Sequence, residues 1–220
     1  IAEGIYYAMD QKADIINLSL GGNHYSRLQQ EAIQAAYNAG KTIIAATGND
    51  GSASVYYPAA FPETIAVGAV GKNNSIARYS NYGPEVDLVA PGGAYGESIY
   101  STWGYYENES TVSSYVGMIG TSMATPHVSG VAALLVARGI NSPEEIRSRL
   151  IDTAIDLGSE GKDNYYGYGL VDAYGALLGK KLKNPVVFAA ARSGNSLILK
   201  SKKKTADSSG KFTLNGVKAE

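Results

Sequence analysis

Short continuous apolar runs alternate along this chain with stretches of helical periodicity. Ile1, Ile5, Ala8 and Met9 recur at helical spacing over residues 1–11. That stretch opens without a capping residue, so a helix already under way, with chain before it, is expected. Asp14-Ile15-Ile16-Asn17-Leu18 follows as a short run suited to a buried parallel strand. Ser26 to Ala39 is helical, with Ile33, Ala36 and Tyr37 on one face and Gly40 as its stop. Thr42–Ala46, Thr64–Val70 and Glu85–Val89 read as three more strands. Strand and helix in this order imply right-handed crossovers and a parallel sheet covered on both faces. The predicted fold class is α/β.

Residues 92–117 are rich in Gly, Ser and Tyr and read as loops with short strands. Thr121 to Arg138 is the most apolar helix, and Gly139 stops it. Ser142-Pro143-Glu144-Glu145 combines a capping Ser, a Pro at the first position and acidic first-turn residues, which starts a helix running to about Asp152. A last short helix is expected over Val171–Leu178. After Lys180 the pattern changes to brief strand-like runs, Val186–Ala190, Leu197–Lys200 and Phe212–Leu214, with a Ser208-Ser209-Gly210 turn. Residues 1–179 are therefore read as one partial domain, and 180–220 as a linker and the beginning of a β-rich segment.

Composition narrows the function classes. The chain has 220 residues, 45% of them apolar, so it can bury a core, and disordered or collagen-like readings fail. It has no Cys, which removes disulfides, thiolate metal sites and a cysteine nucleophile. Residues 1–179 hold nine basic and eighteen acidic side chains, a net charge of −9; residues 180–220 hold ten and two, a net +8. An acidic main domain repels phosphate backbones and argues against nucleic acid as its partner. In the tail, Lys202, Lys203 and Lys204 lack interleaved aromatic platforms and read as a charged strand edge. No apolar run approaches the roughly 20 residues of a membrane span.

Three separated segments carry the chemistry. Gly120-Thr121-Ser122-Met123-Ala124-Thr125-Pro126-His127 puts Ser122 in the first turn of a buried helix, where the macrodipole stabilises a developing oxyanion. Pro126 has no N–H, so the Ser122 carbonyl loses its helical donor. Ala45-Ala46-Thr47-Gly48-Asn49-Asp50-Gly51 leaves the carboxyl end of a strand, where open α/β sheets place ligands, and Asn49 can aim its amide at the same oxyanion. Ser19-Leu20-Gly21-Gly22 also leaves a strand end, and its glycines admit a foreign backbone. In isolation, Ser122 would be a helix cap and Asn49 a turn residue.

Together, and in this order, the segments resemble the subtilisin-like serine proteases from Ile1 to about Leu178. Tyr57-Pro58, residues 62–69, Tyr79-Ser80-Asn81-Tyr82-Gly83-Pro84, Ala90-Pro91-Gly92 and Tyr166-Gly167-Tyr168-Gly169-Leu170 fall in step. The resemblance implies a three-layer fold with a mostly parallel sheet, its N-terminal part missing. It implies a secreted serine endopeptidase acting on polypeptides, with Ser122 as nucleophile and Asn49 in the oxyanion hole. Ser19, Leu20 and Gly21 would pair with substrate as an added strand, Ala46, Thr47 and Gly48 would wall the specificity pocket, and Tyr56 would shorten it in favour of small or medium side chains. It further implies a structural Ca²⁺ or Na⁺ on Asp87 and the carbonyls of Ala59, Phe61 and Thr64, with no cofactor needed for chemistry.

The family's Asp-[Ser/Thr]-Gly and His-Gly-Thr segments are absent from these 220 residues. The triad Asp and His are expected upstream, in the same polypeptide or a cleaved chain that stays bound; a propeptide is a further expected partner. His127 follows Ser122 by five positions and reads as a packed structural histidine; His24 reads as solvated. The residues alone are therefore expected to be nearly inactive. The rivals are a sedolisin-type hydrolase, against which Asn49 speaks, and a catalytically silent relative serving as a binding or assembly module.

Overall fold

A computed structural model describes residues 1–107, 110–181, 188–193 and 196–201. The chain divides into two compact units, Ile1–Lys181 and Leu182–Glu220. In the first, α1 (Ala2–Asp10), β1 (Ile15–Leu18), α2 (Arg27–Asn38), β2 (Thr42–Ala46), β3 (Thr64–Val70) and β4 (Leu88–Pro91) succeed one another. The four strands form one parallel sheet in the order β1-β2-β3-β4. Every residue of β2 and β3 is buried, as expected when helices cover both faces.

Alternation along the strands sorts two cores. Ile44, Ile65, Val67, Ala69 and Leu88 meet Ala124, Val128 and Leu135 of α3 (Thr121–Ala137) on one face. Ile16, Leu18, Ile43, Ala45 and Ala66 meet Ile5 of α1 and Ala32, Ile33 and Ala36 of α2 on the other. The result is three layers, the expected α/β architecture. Two further helices, α4 (Pro143–Thr153) and α5 (Ala173–Leu178), complete the α3 side. Ser142 caps α4, its hydroxyl accepting from the Glu145 N–H at 3.3 Å, and Pro143 occupies the first turn, as the sequence pattern requires.

Three boundaries and one element depart from expectation. The fourth strand starts at Leu88 rather than Glu85, because Gly83 to Val86 forms a turn closed by the Val86 N–H on the Gly83 carbonyl. The last helix begins at Ala173, where Asp172 caps it with bonds to the N–H groups of Tyr174 and Gly175. Residues expected to be loops with short strands contain a long antiparallel ribbon, β5 (Ile99–Glu107) with β6 (Ser110–Met118). Tyr100 and Tyr115 are three-quarters exposed on it. In the second unit, β7 (Phe188–Ser193) pairs antiparallel with β8 (Ser196–Ser201), so the strand over 186–190 lies slightly later than expected. The run Phe212–Leu214, the turn at 208–210 and the lysines at 202–204 lie outside the described residues.

Candidate functional site

The carboxyl ends of β1 and β2 and the amino end of α3 meet at one rim of the sheet. There the three segments singled out in the sequence come together. Ser122 is half-buried in the first turn of α3, and its hydroxyl donates to the Ser19 carbonyl at 3.1 Å. Ser19 answers with its own hydroxyl, which donates to the Ser122 carbonyl at 2.9 Å. The carbonyl that Pro126 deprives of a helical donor therefore has a partner after all.

Asn49 sits opposite, exposed, on the loop leaving β2. Its Oδ1 accepts from the Thr121 N–H at 2.8 Å and the Thr121 hydroxyl at 2.9 Å. Because a backbone N–H can only donate, this fixes which end of the amide is oxygen, and the Nδ2 end is left for another group. The Ser122 N–H belongs to the first turn of α3, where the helix has no carbonyl to offer it. Gly120 enters that turn at φ +151°, and a Cβ there would stand 3.6 Å from both Asn49 amide atoms.

Buried Ala46, Thr47 and Gly48 form the next wall. The Tyr56 N–H donates to the Thr47 carbonyl at 2.9 Å, and its hydroxyl donates to the Asp50 carboxylate. Gly48, at φ +110°, admits no side chain: a Cβ would stand 2.2 Å from Asn81 Nδ2 and 2.9 Å from the Tyr56 ring. Gly22 bridges Tyr57 through two backbone hydrogen bonds of 2.9 Å, which sets Gly21 beside Tyr56. Of the seven residues expected to bind substrate, Ser19 exchanges hydrogen bonds with Ser122, and Tyr56 lies against both Gly21 and Gly48. Sequence reasoning missed Thr121 and the buried Asn81, whose Oδ1 accepts from the N–H groups of Asp50 and Ser52 at 2.8 and 3.2 Å. A hydroxyl directly before the Ser was the one available signal for Thr121.

His127 is exposed, which corrects the packed reading. Its Nδ1 lies 2.8 Å from the Met123 carbonyl, one turn back on its own helix, so Nδ1 carries the proton and is engaged there. On this side of α3, Ser122, Met123, Pro126 and His127 line a cleft of about 440 Å³ whose opposite wall includes Ile99 and Trp103 of the β5–β6 ribbon.

Residues expected to hold a cation already have other partners. Asp87 is buried, but Arg147 of α4 takes both of its oxygens at 2.8 and 2.9 Å, and the Ala66 N–H takes Oδ2 at 3.0 Å. The Phe61 carbonyl is used by the Thr64 N–H at 3.0 Å. With a guanidinium already neutralising Asp87, the set Ala59, Phe61, Thr64 and Asp87 does not fit a bound Ca²⁺ or Na⁺. Among the described residues no other group of three or more acidic or histidine side chains could hold a metal ion.

Comparison with known proteins agrees with this geometry. The family model described as "Subtilase family" matches residues 1–169. A thermophilic serine proteinase of Bacillus sp. (strain AK1) is 42% identical over 177 residues, covering 80% of this chain and 41% of the relative. Thermitase of Thermoactinomyces vulgaris is 41% identical, with 80% and 58% covered. A solved protease structure from Pseudoalteromonas arctica superposes with a TM-score of 0.72 at 38% identity, over 80% of this chain and 57% of that one. The chain thus spans roughly two to three fifths of these relatives. A family match over most of the sequence and a like-folded protease of substantial identity lead to one conclusion: this chain belongs to the subtilase family.

Proposed function

We propose that the protein is a serine endopeptidase in which Ser122 attacks the peptide carbonyl. The observation that carries this is the meeting of Ser122 and Asn49 across Thr121. The Ser122 Oγ adds to the carbonyl carbon as its proton passes to a base. The oxyanion is held by the Ser122 N–H and Asn49 Nδ2. Collapse expels the amine, and water then hydrolyses the serine ester. For Asn49 the magnitude is carried over from subtilisin itself, where losing one such donor costs about 10²–10³ in kcat.

The backbone of Ser19, Leu20 and Gly21 pairs with an extended substrate, a recognition mode indifferent to most side chains. Ala46, Thr47 and Gly48 wall the pocket for the residue before the cleaved bond. Tyr56, held by Asp50 and packed against Gly48, closes its floor and favours small or medium side chains there. The base and its orienting Asp come from a segment upstream of residue 1, in the same or a bound chain. Secretion and a propeptide fit a protease whose activity must be kept from its own cell. The +8 stretch from residue 180 begins an accessory β-rich segment.

The second reading is a silent binding module, in which the full-length protein presents no base to Ser122. Fluorophosphonate labelling of the full-length protein decides between them. Stoichiometric label on Ser122, lost in Ser122→Ala, is expected of the protease. A full-length protein that takes no label is the silent module.

A further inference from the structure

We infer that Ser19 is a positioning residue for the nucleophile: its hydroxyl holds the Ser122 carbonyl that Pro126 leaves without a helical donor, and so fixes the orientation from which the Ser122 hydroxyl reacts. This rests on reading Ser122 as the nucleophile. The two serines, 103 positions apart, close a ring of two reciprocal hydrogen bonds, hydroxyl to carbonyl in each direction. The Ser19 hydroxyl is itself oriented. Asn17 Nδ2 donates to it at 2.9 Å, so its lone proton is directed to the Ser122 carbonyl. Asn17 is held in turn by the Ser129 hydroxyl, which donates to Asn17 Oδ1 at 2.7 Å.

Ser129 lies on α3 two turns beyond Ser122, so the relay Ser129 to Asn17 to Ser19 to Ser122 starts and ends on one helix. It clips the exit of β1 to α3 at two points. Without the Ser19 hydroxyl, the Ser122 carbonyl has neither a helical nor a side-chain donor, and the peptide after Ser122 is held only at its other end, by the Met123 N–H on the Gly120 carbonyl at 2.9 Å. Rotation of that plane turns ψ of Ser122 and moves the first turn that presents both Oγ and the oxyanion-binding N–H. Misplacements of about 1 Å at a reacting atom are known to cost up to 10²-fold. The relay uses side chains only, whereas substrate is taken by the backbone of the same segment, so loss of Ser19 Oγ should strike turnover rather than binding.

The test uses the full-length protein with active sites counted by fluorophosphonate titration, and a short peptide ester as substrate. Ser19→Ala is expected to lower kcat per titrated site about tenfold while KM stays within about twofold. Ser19→Thr, which keeps the hydroxyl, is expected to recover most of the loss. Asn17→Ala, at an exposed position, is expected to give a smaller fall of about threefold by loosening Ser19. Wild-type kcat in Ser19→Ala, an equal fall in Ser19→Thr, or a change confined to KM each overturns the inference. Failure of the parent protein to label overturns the nucleophile reading instead, and the inference falls with it.

Discussion

Asp87 and Arg147 illustrate how one side chain can change the meaning of another. A buried carboxylate beside carbonyls suggests a metal ion until a guanidinium reaches it from α4. Arg147 also donates to the Pro62 carbonyl at 2.5 Å, joining α4 to the loop before β3. Arg147→Ala would leave the buried Asp87 carboxyl without its countercharge. Removing one partner of a buried pair costs about 3–5 kcal/mol, and the 29% exposure of Arg147 places this case at the lower end. Urea unfolding of the Arg147→Ala and parent proteins measures the difference; a loss below about 1 kcal/mol would contradict it. Tyr79 gives a prediction with a pH sign. Its hydroxyl donates to the carbonyls of Gly92 and Gly93 at 2.7 Å, and burial pushes the phenol up to about 12. The folded state therefore keeps a proton that the unfolded chain gives up near its ordinary value of 10. The contribution is full below pH 10 and is lost as pH rises towards 12. Ultraviolet titration at high pH should show a late phenol that Tyr79→Phe removes; an unchanged late phase would sink the assignment.

Elements were legible where packing on two faces imposed a simple pattern. The all-apolar runs of β2 and β3 and the capped start of α4 could be read directly, as could the meeting of the segments that carry Ser122 and Asn49. The β5–β6 ribbon could not. Its more apolar face, Ile99, Trp103, Val112, Val116 and Met118, is interrupted by Ser101 and Ser114, because a two-stranded ribbon has little core to bury against and leaves its period weak. His127 was misread for a related reason: helical spacing tells which way a residue points, but not whether anything covers it. Thr121, Asn81 and the Arg147 contact were hidden because each acts across a large sequence separation. The ribbon's exposure carries its own prediction. Amide hydrogen exchange in the outer part of β5–β6, over Thr102–Tyr105 and Val112–Tyr115, should be much faster than in β2 and β3, because no side chain there is fully buried to oppose local opening. Equal protection in the two would show that a packed layer covers the ribbon.

At the scale of the whole molecule, the two flanks of the sheet differ. β4 is closed by the chain over 168–171: the Val89 N–H donates to the Gly169 carbonyl and the Val171 N–H to the Val89 carbonyl, both at 3.0 Å. β1 has a partner on the β2 side only, among the described residues, although Ile16 and Leu18 are buried. An open strand edge beside a buried apolar layer invites association. The 220-residue chain on its own should self-associate in sedimentation velocity at micromolar concentration, and a single monomer boundary across the range would contradict this. The sheet's polarity adds a consequence. All four strands travel the same way, so each discharges its carboxyl end at the rim that holds Ser122. A strand joining the free flank of β1 in that direction would deliver its last residues beside Ser19, like a further lane ending at the same junction. The open flank thus works as an address, reserving the place next to Ser122 for whatever chain arrives there.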